Sequence, residues 1–393
     1  MDSIKDKVAI IGMGCIKFGE LWTKNPYDLM VDACYEAFED AGIEARDIQQ
    51  AWFASLVSGF TGARLATALK LDNIPITRVE NFCSGGTHAL ANACYAVAAG
   101  VCDIALACGV EKLKDRASGF AYPNPEPFDS SKVCGEFNPI NMFSQLAVRI
   151  FLHNRWTYEE GKRILAQIAV KNHYNGALNP KAHFRKKVTI EEVMNAPIIA
   201  YPLGLLDCCP VSDGAAAVIV TRADIAKSFK DDYVLVKGLG FANGPGYALL
   251  RDDFDFIHQD ESIIAGKRAY EQAGIKDPRH EINVAVVHDC FTIHEFEIYE
   301  ELGFSRPGKA REDVETGTFT LDGELPVNTD GGLKCFGHPI SASGLRMAYE
   351  IYKQLQGKAG PRQVKNAYIG LTHNAGGIVG ALNAAVAIFG RRD

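Results

Sequence analysis

The stretch AFEDAGI at residues 37–43 recurs as AYEQAGI at residues 269–275, with five of the seven positions identical. An apolar, β-forming stretch follows each copy, IQQAWFAS at residues 48–55 and INVAVVHD at residues 282–289. Because helix and strand recur in the same order, we predict that the chain contains one α/β unit twice.

A third match lies upstream, where VAIIGMG at residues 8–14 corresponds to VLVKGLG at residues 234–240. Neither Gly-x-Gly continues into the G-x-G-x-x-G of a dinucleotide site, so we interpret both as tight strand ends. We place the boundary between halves in the charged stretch at residues 222–232. The predicted halves are residues 1–225 and 226–393.

The first half is longer because of an insertion at about residues 113–200. The insertion is rich in Pro, Asn, aromatic and charged residues, and a long irregular segment of this kind favours a binding or lid element. Its aromatic side chains predict either a pocket for a ring or loop packing; they are Phe120, Tyr122, Phe128, Phe137 and Phe143.

Composition excludes several classes of protein. The chain has 393 residues, 47% hydrophobic and 23% charged, which predicts a globular protein with two core units. A net charge of −7 argues against a nucleic-acid partner. The sequence has no signal-peptide pattern and no apolar run of about 20 residues, so we expect a cytoplasmic protein without a membrane partner. Eleven cysteines without a C-x-x-C pair favour free thiols over a structural zinc site.

Cys83 lies in RVENFCSGGTHALANACYAVAAG at residues 78–100, where a strand is predicted to stop and a helix to start. A helix N-terminus favours a thiolate, and Gly85 and Gly86 would leave room for an acyl carbon beside the sulfur. These features predict a nucleophile. The alternative is a buried core cysteine, which describes Cys94, Cys102 and Cys108 better.

Two further stretches carry candidate proton carriers. In GGLKCFGHPISASG, residues 331–344, Gly337 and Pro339 hold His338 in a tight turn, where it can serve as a base or have a purely structural role. In HDCF, residues 288–291, polar residues follow the end of an apolar strand, as is typical of α/β active sites.

Metal binding by His288, Asp289 and His294 is an alternative, but their spacing matches no standard ligand set, so we predict no metal. His294 and Glu295 are expected on a helix surface. Near the C-terminus, His373 to Gly377 is predicted to join two strands, either as a plain hairpin turn or with free backbone N–H groups for an oxyanion.

Together these stretches resemble the thiolase superfamily over essentially the whole chain. HDCF, CFGHPISASG at residues 335–344, LLDCCPVSDGAAAVIV at residues 205–220 and VKNHYNGALNPKAHFRKKVTIEEV at residues 170–193 resemble the sterol-carrier-protein type and its bacterial and archaeal relatives. The resemblance implies two βαβαβ halves in a five-layer α-β-α-β-α architecture, with a loop domain inserted in the first half.

The resemblance also implies roles. Cys83 attacks the substrate and carries the acyl group, His338 accepts its proton, and His288 polarises the thioester oxygen. Many thiolases have a second cysteine in a C-x-G turn, which is absent here; in the sterol-carrier type, Cys290 of HDCF takes that duty. Backbone N–H groups of Cys83 and of the turn containing His373 and Gly376 would hold the oxyanion.

The implied activity is cleavage or formation of a 3-oxoacyl-CoA, with coenzyme A as substrate and no tightly bound cofactor. The expected assembly is a homodimer, together with a small zinc-ribbon/OB-fold protein as partner subunit. A narrower prediction is an aromatic substrate, as for the large subunit of benzoylsuccinyl-CoA thiolase. The alternatives are an acetoacetyl-CoA thiolase, a decarboxylating ketoacyl synthase and a non-catalytic subunit. The basic residues His183, Arg185, Lys186 and Lys187 either meet coenzyme A phosphates or form a solvated turn.

Overall fold

A computed structural model describes residues 3–115, 139–246, 248 and 251–392. Its strands are β1 Val8–Cys15, β2 Gln50–Ala54, β3 Ile76–Val79, β4 Ile104–Lys112, β5 Ile198–Ala200, β6 Leu203–Gly204, β7 Asp213–Arg222, β8 Val234–Asn243, β9 Val284–Val286, β10 Ile369–Ile378 and β11 Ala381–Arg391. Its helices are α1 Pro26–Ala41, α2 Ala63–Leu69, α3 Gly85–Ala98, α4 Pro139–His153, α5 Tyr158–Ala177, α6 Ile190–Met194, α7 Asp260–Ala273, α8 Pro278–Glu281, α9 Thr292–Glu301, α10 Ala310–Glu315, α11 Gly332–Phe336 and α12 Ile340–Leu355.

The large sheet has the strand order β3-β2-β4-β7-β1-β8-β11-β10-β9. β2 is parallel to β3 and β4, and β9 is parallel to β10, whereas the other neighbours are antiparallel. Outward from the centre, the first half runs β1, β7 and then the parallel strands β4, β2 and β3. The second half runs β8, β11 and then the parallel strands β10 and β9, which is the same arrangement. This order confirms the duplicated α/β fold; the domain boundary near residue 225 stays a prediction.

Close packing of helix on strand explains the two Gly-x-Gly segments. They lie inside β1 and β8, so the interpretation as tight strand ends is wrong. A Cβ on Gly14 would lie 1.9 Å from the carbonyl oxygen of Ala33 in α1, and one on Gly240 would lie 1.9 Å from that of Ala265 in α7. Only glycine lets these helices approach so closely, which is why the same spacing occurs in both halves.

The repeated AGI sequence ends the corresponding helices. Gly42 follows α1 with φ 69°, and Gly274 follows α7 with φ 81°, a left-handed conformation that favours glycine. The sequence shared by residues 37–43 and 269–275 therefore ends a helix in each half and also forms part of its buried face.

Three loops are brought together near the central helices. α12 packs on α3 and on strands β4 and β10. Cys83 precedes α3, His288 and Cys290 lie between β9 and α9, and His338 lies between α11 and α12. The inserted segment contributes α4, α5 and α6. Four of its predicted pocket aromatics, Phe120, Tyr122, Phe128 and Phe137, lie outside the described residues.

Among the residues described, no helix has the length and apolar character needed to cross a membrane.

Candidate active site

The Cys83 thiol and the His338 imidazole face each other. Nε2 of His338 lies 3.1 Å from Sγ of Cys83, and Nδ1 of the same ring lies 2.8 Å from Oγ of Ser343 in α12. Since Nδ1–H can donate to the Ser343 hydroxyl, Nε2 is left as an acceptor for the thiol proton. The sequence did not single out Ser343, which fixes the orientation of the base.

Burial decides the charge state of this pair. Burial, with Glu80 nearby, raises the pKa of Cys83 to about 12. Burial, with a smaller effect of Arg346, lowers the pKa of His338 to about 3. The expectation that a helix N-terminus yields a resting thiolate is therefore wrong, because desolvation outweighs it. At neutral pH the pair is a thiol and a neutral imidazole, ready for proton transfer on attack.

The glycines after Cys83 have another role than the one predicted. Gly86 packs on α12, since a Cβ there would lie 2.5 Å from the carbonyl oxygen of Ser341. Gly85 is also buried on this side, with the Ser341 side chain 3.7 Å from such a Cβ. Both glycines therefore serve the packing of α3 on α12 and do not line the space beside the sulfur.

His288 is held as a hydrogen-bond donor toward the site. Its Nδ1 lies 2.9 Å from Nδ2 of Asn374 and accepts a 3.3 Å bond from the backbone N–H of Ala375. Burial and the nearby His338 hold its pKa well below the usual range, so the ring is neutral. A neutral ring whose Nδ1 accepts must carry its proton on Nε2. Asn374 was missed in the sequence because only its register on β10 brings it to His288.

Cys290 lies in the same cavity as Cys83. The cavity has a volume of about 180 Å³, and its lining includes Cys83, Cys290, His288, His338 and His294. Burial raises the pKa of Cys290 well above that of an ordinary thiol, so it is protonated at neutral pH. A third thiol, Cys209, lines the cavity, and its backbone N–H donates a 2.9 Å bond to the Cys290 carbonyl oxygen.

The rest of the cavity wall is apolar. It is formed by residues from the loop around Cys83, the insertion, the segment before β7, HDCF and the C-terminal hairpin: Phe82, Leu113, Pro139, Ile140, Phe143, Pro210, Val211, Phe291, Ala375, Gly377 and Leu382. Of the predicted pocket aromatics, Phe143 lies among the described residues, and it lines this wall. Its ring centroid lies 5.0 Å from that of Phe291 and 4.8 Å from that of His294.

Two sets of possible metal ligands occur here, Cys83 with His288 and His338, and Cys290 with His288 and His294. Both sets need His288. Its Nδ1 lone pair accepts the Ala375 N–H, a backbone group that can only donate. Since Nε2 carries the ring proton, the ring has no free lone pair for a metal. The residues present do not fit a resident metal ion.

The predicted turn at His373 to Gly377 lies inside strand β10, and the chain reverses after Ile378. The prediction that His373 belongs to the oxyanion site is wrong, because its ring forms a 3.0 Å hydrogen bond with Oγ of Ser262 and does not line the cavity. Gly376 does lie against the nucleophile loop: a Cβ there would be 2.8 Å from the backbone nitrogen of Cys83.

Asp289 serves a structural role that the sequence did not reveal. Its carboxylate accepts bonds from the backbone N–H groups of Leu333 at 2.6 Å and Lys334 at 3.2 Å, and from Nδ2 of Asn172 at 2.8 Å. These contacts tie HDCF to the start of α11, which leads to His338. HDCF and the segment that leads to His338 are thus held in fixed relative positions.

His294 and Glu295 are fully buried, so their expected place on a helix surface is wrong. Glu295 forms an ion pair with Lys171 and accepts a 2.6 Å bond from Asn172. Nδ1 of His294 lies 3.8 Å from Sγ of Cys290. α9 is enclosed on all sides, and such enclosure leaves no signature in helical periodicity.

The basic segment lies apart from the cavity lining. His183 is half-buried and pairs with Oγ of Ser212 at 2.8 Å, while Arg185 and Lys186 are exposed. The backbone N–H of His183 donates to the carbonyl oxygen of Phe336, two residues before His338. The segment is therefore anchored beside the turn that holds His338, with its charged end in solvent.

The fold and the cavity, with thiols beside neutral imidazoles, hold the groups that acyl transfer through a cysteine requires. Comparison with known proteins specifies the family: residues 8–224 match the thiolase N-terminal domain, and residues 250–391 match the thiolase C-terminal domain-like family. The chain belongs to the thiolase family. Two relatives are acetyl-CoA acetyltransferases, from Methanothermobacter thermautotrophicus (39% identity, 98% of this chain and 99% of the relative) and Methanocaldococcus jannaschii (37%, 95% and 97%).

Sterol carrier protein 2 of Gallus gallus is 32% identical over 94% of this chain and 70% of its own length, which agrees with the resemblance to the sterol-carrier type. Among solved structures, the Ltp2-ChsH2(DUF35) aldolase has a TM-score of 0.85 at 23% identity, covering 99% of both chains. A monomeric SCP2-thiolase like protein type 1 from Mycobacterium smegmatis has a TM-score of 0.77 at 17% identity, covering 99% of this chain and 78% of its own. These likenesses confirm the thiolase fold.

The protein is therefore an acyltransferase of the thiolase family, an enzyme class that uses coenzyme A as a substrate rather than as a bound cofactor.

Proposed function

We propose that the protein cleaves or forms a 3-oxoacyl-CoA with a bulky, aromatic acyl group, through an acyl-Cys83 intermediate. The observation that carries this proposal is the cavity of about 180 Å³, which is lined by three thiols, neutral imidazoles and otherwise apolar residues. An apolar cavity of about 150 Å³ accommodates benzene, so this one has room for a phenyl ring.

The first step is attack by Cys83 on the 3-keto carbon. His338 takes the thiol proton at Nε2 as the sulfur–carbon bond forms, because the 3.1 Å separation allows direct transfer. The Nε2–H of His288 is a donor for the thioester oxygen, on which negative charge develops when the carbon–carbon bond breaks. The backbone N–H of Cys83, next to Gly376, is the corresponding donor for the oxyanion of the covalent adduct.

The second step needs another proton carrier. Collapse of the adduct breaks the carbon–carbon bond and releases the acetyl-CoA part as an enolate, which takes the Cys290 proton at its α-carbon. Cys290 becomes a thiolate and then removes the proton of incoming coenzyme A. The coenzyme A sulfur attacks the acyl group, and the departing Cys83 sulfur recovers its proton from His338. Formation of the 3-oxoacyl-CoA is the reverse of these steps.

The coenzyme A phosphates are proposed to meet His183, Arg185 and Lys186, with Lys187 beside them. The support is that this segment starts next to the catalytic turn and ends in exposed cations. Lys186 already has a partner in Glu192, at 3.6 Å, so Arg185 is the better single site for a test. In an Arg185→Ala variant the KM for coenzyme A should rise while kcat changes little.

The aromatic substrate competes with acetoacetyl-CoA, the smaller alternative. 2-Benzoylsuccinyl-CoA is the aromatic candidate suggested by the sequence, but its free carboxylate needs a cation, and the described cavity lining includes neither Arg nor Lys. An uncharged aroyl substrate fits this lining better. We therefore propose the aroyl-acetyl type of thioester, represented by benzoylacetyl-CoA.

Cleavage assays with benzoylacetyl-CoA, 2-benzoylsuccinyl-CoA and acetoacetyl-CoA, each with coenzyme A, test the substrate proposal. We expect the largest kcat/KM with an aromatic substrate, by about 10-fold or more over acetoacetyl-CoA. A preference for acetoacetyl-CoA would overturn it and favour the smaller alternative.

Two other functions make distinct predictions. A decarboxylating ketoacyl synthase would consume a malonyl thioester and would not need Cys290. A non-catalytic subunit would leave Cys83 free after incubation with an acyl-CoA, as intact-mass spectrometry would reveal. The presence of Cys290 and the 3.1 Å contact of Cys83 with His338 favour the thiolase over both.

We further propose a cytoplasmic homodimer that binds a small zinc-ribbon/OB-fold subunit. The free thiols of the described residues suit a reducing compartment, and β3 stands at one edge of the large sheet. The ChsH2(DUF35) component named in a structural neighbour of the same fold supports a separate partner. Light scattering of the purified protein tests the dimer, and purification from the native host tests the small subunit.

A further inference from the structure

His294 forms a second thiol–imidazole contact in the cavity. It is the third residue of α9, four residues after Cys290, and the helical path brings its Nδ1 to 3.8 Å from Sγ of Cys290. The ring is fully buried and packs on Phe143, and its Nε2 has no hydrogen-bond partner among the residues described. A buried polar ring with one side unpaired costs free energy, which calls for an explanation.

We propose that His294 is a positioning residue for Cys290, donating a hydrogen bond from Nδ1 that stabilises the Cys290 thiolate formed during each turnover. The inference rests on the proposed function, because it concerns the second proton carrier of that reaction. It adds a Cys290–His294 pair to the Cys83–His338 pair in the same cavity.

The unpaired nitrogen indicates the tautomer. Burial holds the pKa of His294 well below its usual range, so the ring is neutral and has one N–H. A buried N–H without a partner is rarer and more costly than an unpaired acceptor. The proton is therefore on Nδ1, facing the sulfur, and the unpaired Nε2 is the acceptor.

The other imidazoles are committed elsewhere. His338 contacts Cys83 and Ser343, His288 accepts from Ala375, and His373 bonds Ser262. A ring nitrogen of His288 also lies within 4.8 Å of the Cys290 sulfur, but the Nε2–H of His288 is proposed to serve the thioester oxygen, which leaves His294 for the sulfur.

Cys290 needs such a donor because the backbone N–H of Phe291 supports its thiolate but does not offset the effect of burial. When the sulfur gives its proton to the substrate α-carbon, an S–H bond breaks, a C–H bond forms and a negative charge remains on Sγ. The neighbouring thiols Cys83 and Cys209 cannot compensate for that charge. A neutral Nδ1–H stabilises the thiolate without giving up its own proton, and the thiolate regains a proton from coenzyme A.

The test compares His294→Leu with His294→Asn in the full-length enzyme. Asn keeps an N–H near the position of Nδ1, whereas Leu fills similar space without a donor. Two reactions are measured: acylation of Cys83 by acetyl-CoA, from intact mass, and exchange of the acetyl-CoA α-protons in D₂O, from NMR. Acylation forms its bond with Cys83 and His338 alone, and the coenzyme A thiolate that leaves can take its proton from solvent, whereas α-proton exchange needs Cys290 as the base.

We expect His294→Leu to acylate Cys83 within about 2-fold of the native rate but to lose about 10- to 100-fold in exchange, the effect of a hydrogen bond to a charged group. His294→Asn should recover most of the exchange. Equal exchange in the native enzyme and His294→Leu would overturn the inference, as would parallel loss of acylation and exchange in both variants.

Failure of the proposed function gives a different result. If the native enzyme forms no acyl-Cys83, the proposed function falls, and the inference falls with it. If the native enzyme acylates Cys83 but exchanges no α-protons, only the roles proposed for Cys290 and His294 are overturned.

Discussion

Nε2 of His338 lies 3.1 Å from Sγ of Cys83, although 255 residues separate the two in the chain. The contact joins the first half of the duplicated fold to the second through the packing of α3 on α12. It is also a contact between two neutral groups, since burial raises the pKa of the thiol and lowers that of the imidazole. The site is therefore set for proton transfer during attack rather than for a resting ion pair.

Titration of the Cys83 thiol tests whether it is protonated at neutral pH. A raised thiol pKa means that the protonated form persists as pH rises, and with a pKa of about 12 only about 1 thiol in 10,000 is ionised at pH 8. The difference in thiolate ultraviolet absorbance between the native protein and Cys83→Ala should show no titration step between about pH 5 and pH 9. A step near neutral pH would contradict the neutral pair.

Cys290→Ala separates the two halves of the reaction. Cys83 and His338 remain intact, so the variant should still form the acyl adduct, which intact mass detects. Turnover in both directions should fall by about 10²- to 10⁴-fold, the usual effect of losing a positioned acid or base. Unchanged turnover would favour the ketoacyl synthase alternative. Cys209→Ala is the matched control, since it removes a thiol from the same cavity that the proposed reaction does not use.

Much of this arrangement could be predicted from the sequence because it depends on local order. The repeated AGI helix ends, the position of Cys83 before α3, and His338 between Gly337 and Pro339 are all features of short segments. Each predicts where a side chain stands along the chain, and the duplicated order of helix and strand predicts how the segments converge.

The remaining features depend on contacts between distant segments. Asn374 reaches His288 because β10 continues through the predicted turn, and strand register is invisible in HNAGG itself. The neutral state of Cys83 depends on desolvation by the whole cavity wall, which outweighs the local helix terminus. His294 differs from a surface residue only because other elements cover α9.

Gly376 provides a test of the nucleophile loop. A Cβ at this position would lie 2.5 Å from the Asn81 carbonyl oxygen and 2.8 Å from the Cys83 nitrogen, so Gly376→Ala must displace the backbone at the nucleophile. A displacement of about 1 Å costs about 100-fold in rate, which we expect in kcat/KM. Gly19→Ala is the control, because no atom lies within 4 Å of its added Cβ. Equal activity of the two variants would contradict this role.

Asp289→Asn tests the link between HDCF and α11. Asn keeps one acceptor oxygen, but its NH₂ group replaces the other. The backbone N–H of either Leu333 or Lys334 therefore loses its acceptor. An unsatisfied buried donor costs about 1–3 kcal/mol, so the free energy of unfolding in urea should fall by about this amount. Asp322→Asn, at an exposed carboxylate, should leave it within about 0.5 kcal/mol. Equal unfolding curves would show that Asp289 does not hold the two segments together.

Phe143 decides whether the apolar wall selects an aromatic substrate. Phe143→Leu keeps an apolar side chain but removes the ring that lies 5.0 Å from Phe291, so an aroyl substrate loses stacking and contact area. We expect kcat/KM for benzoylacetyl-CoA to fall by about 10-fold while that for acetoacetyl-CoA changes by less than about 3-fold, since an acetyl group does not reach the ring. Phe151→Leu is the control on the same helix, because Phe151 packs on Trp156 and does not line the cavity. If Phe143→Leu lowers kcat/KM equally for both substrates, the ring supports the fold of the site and does not select an aromatic substrate.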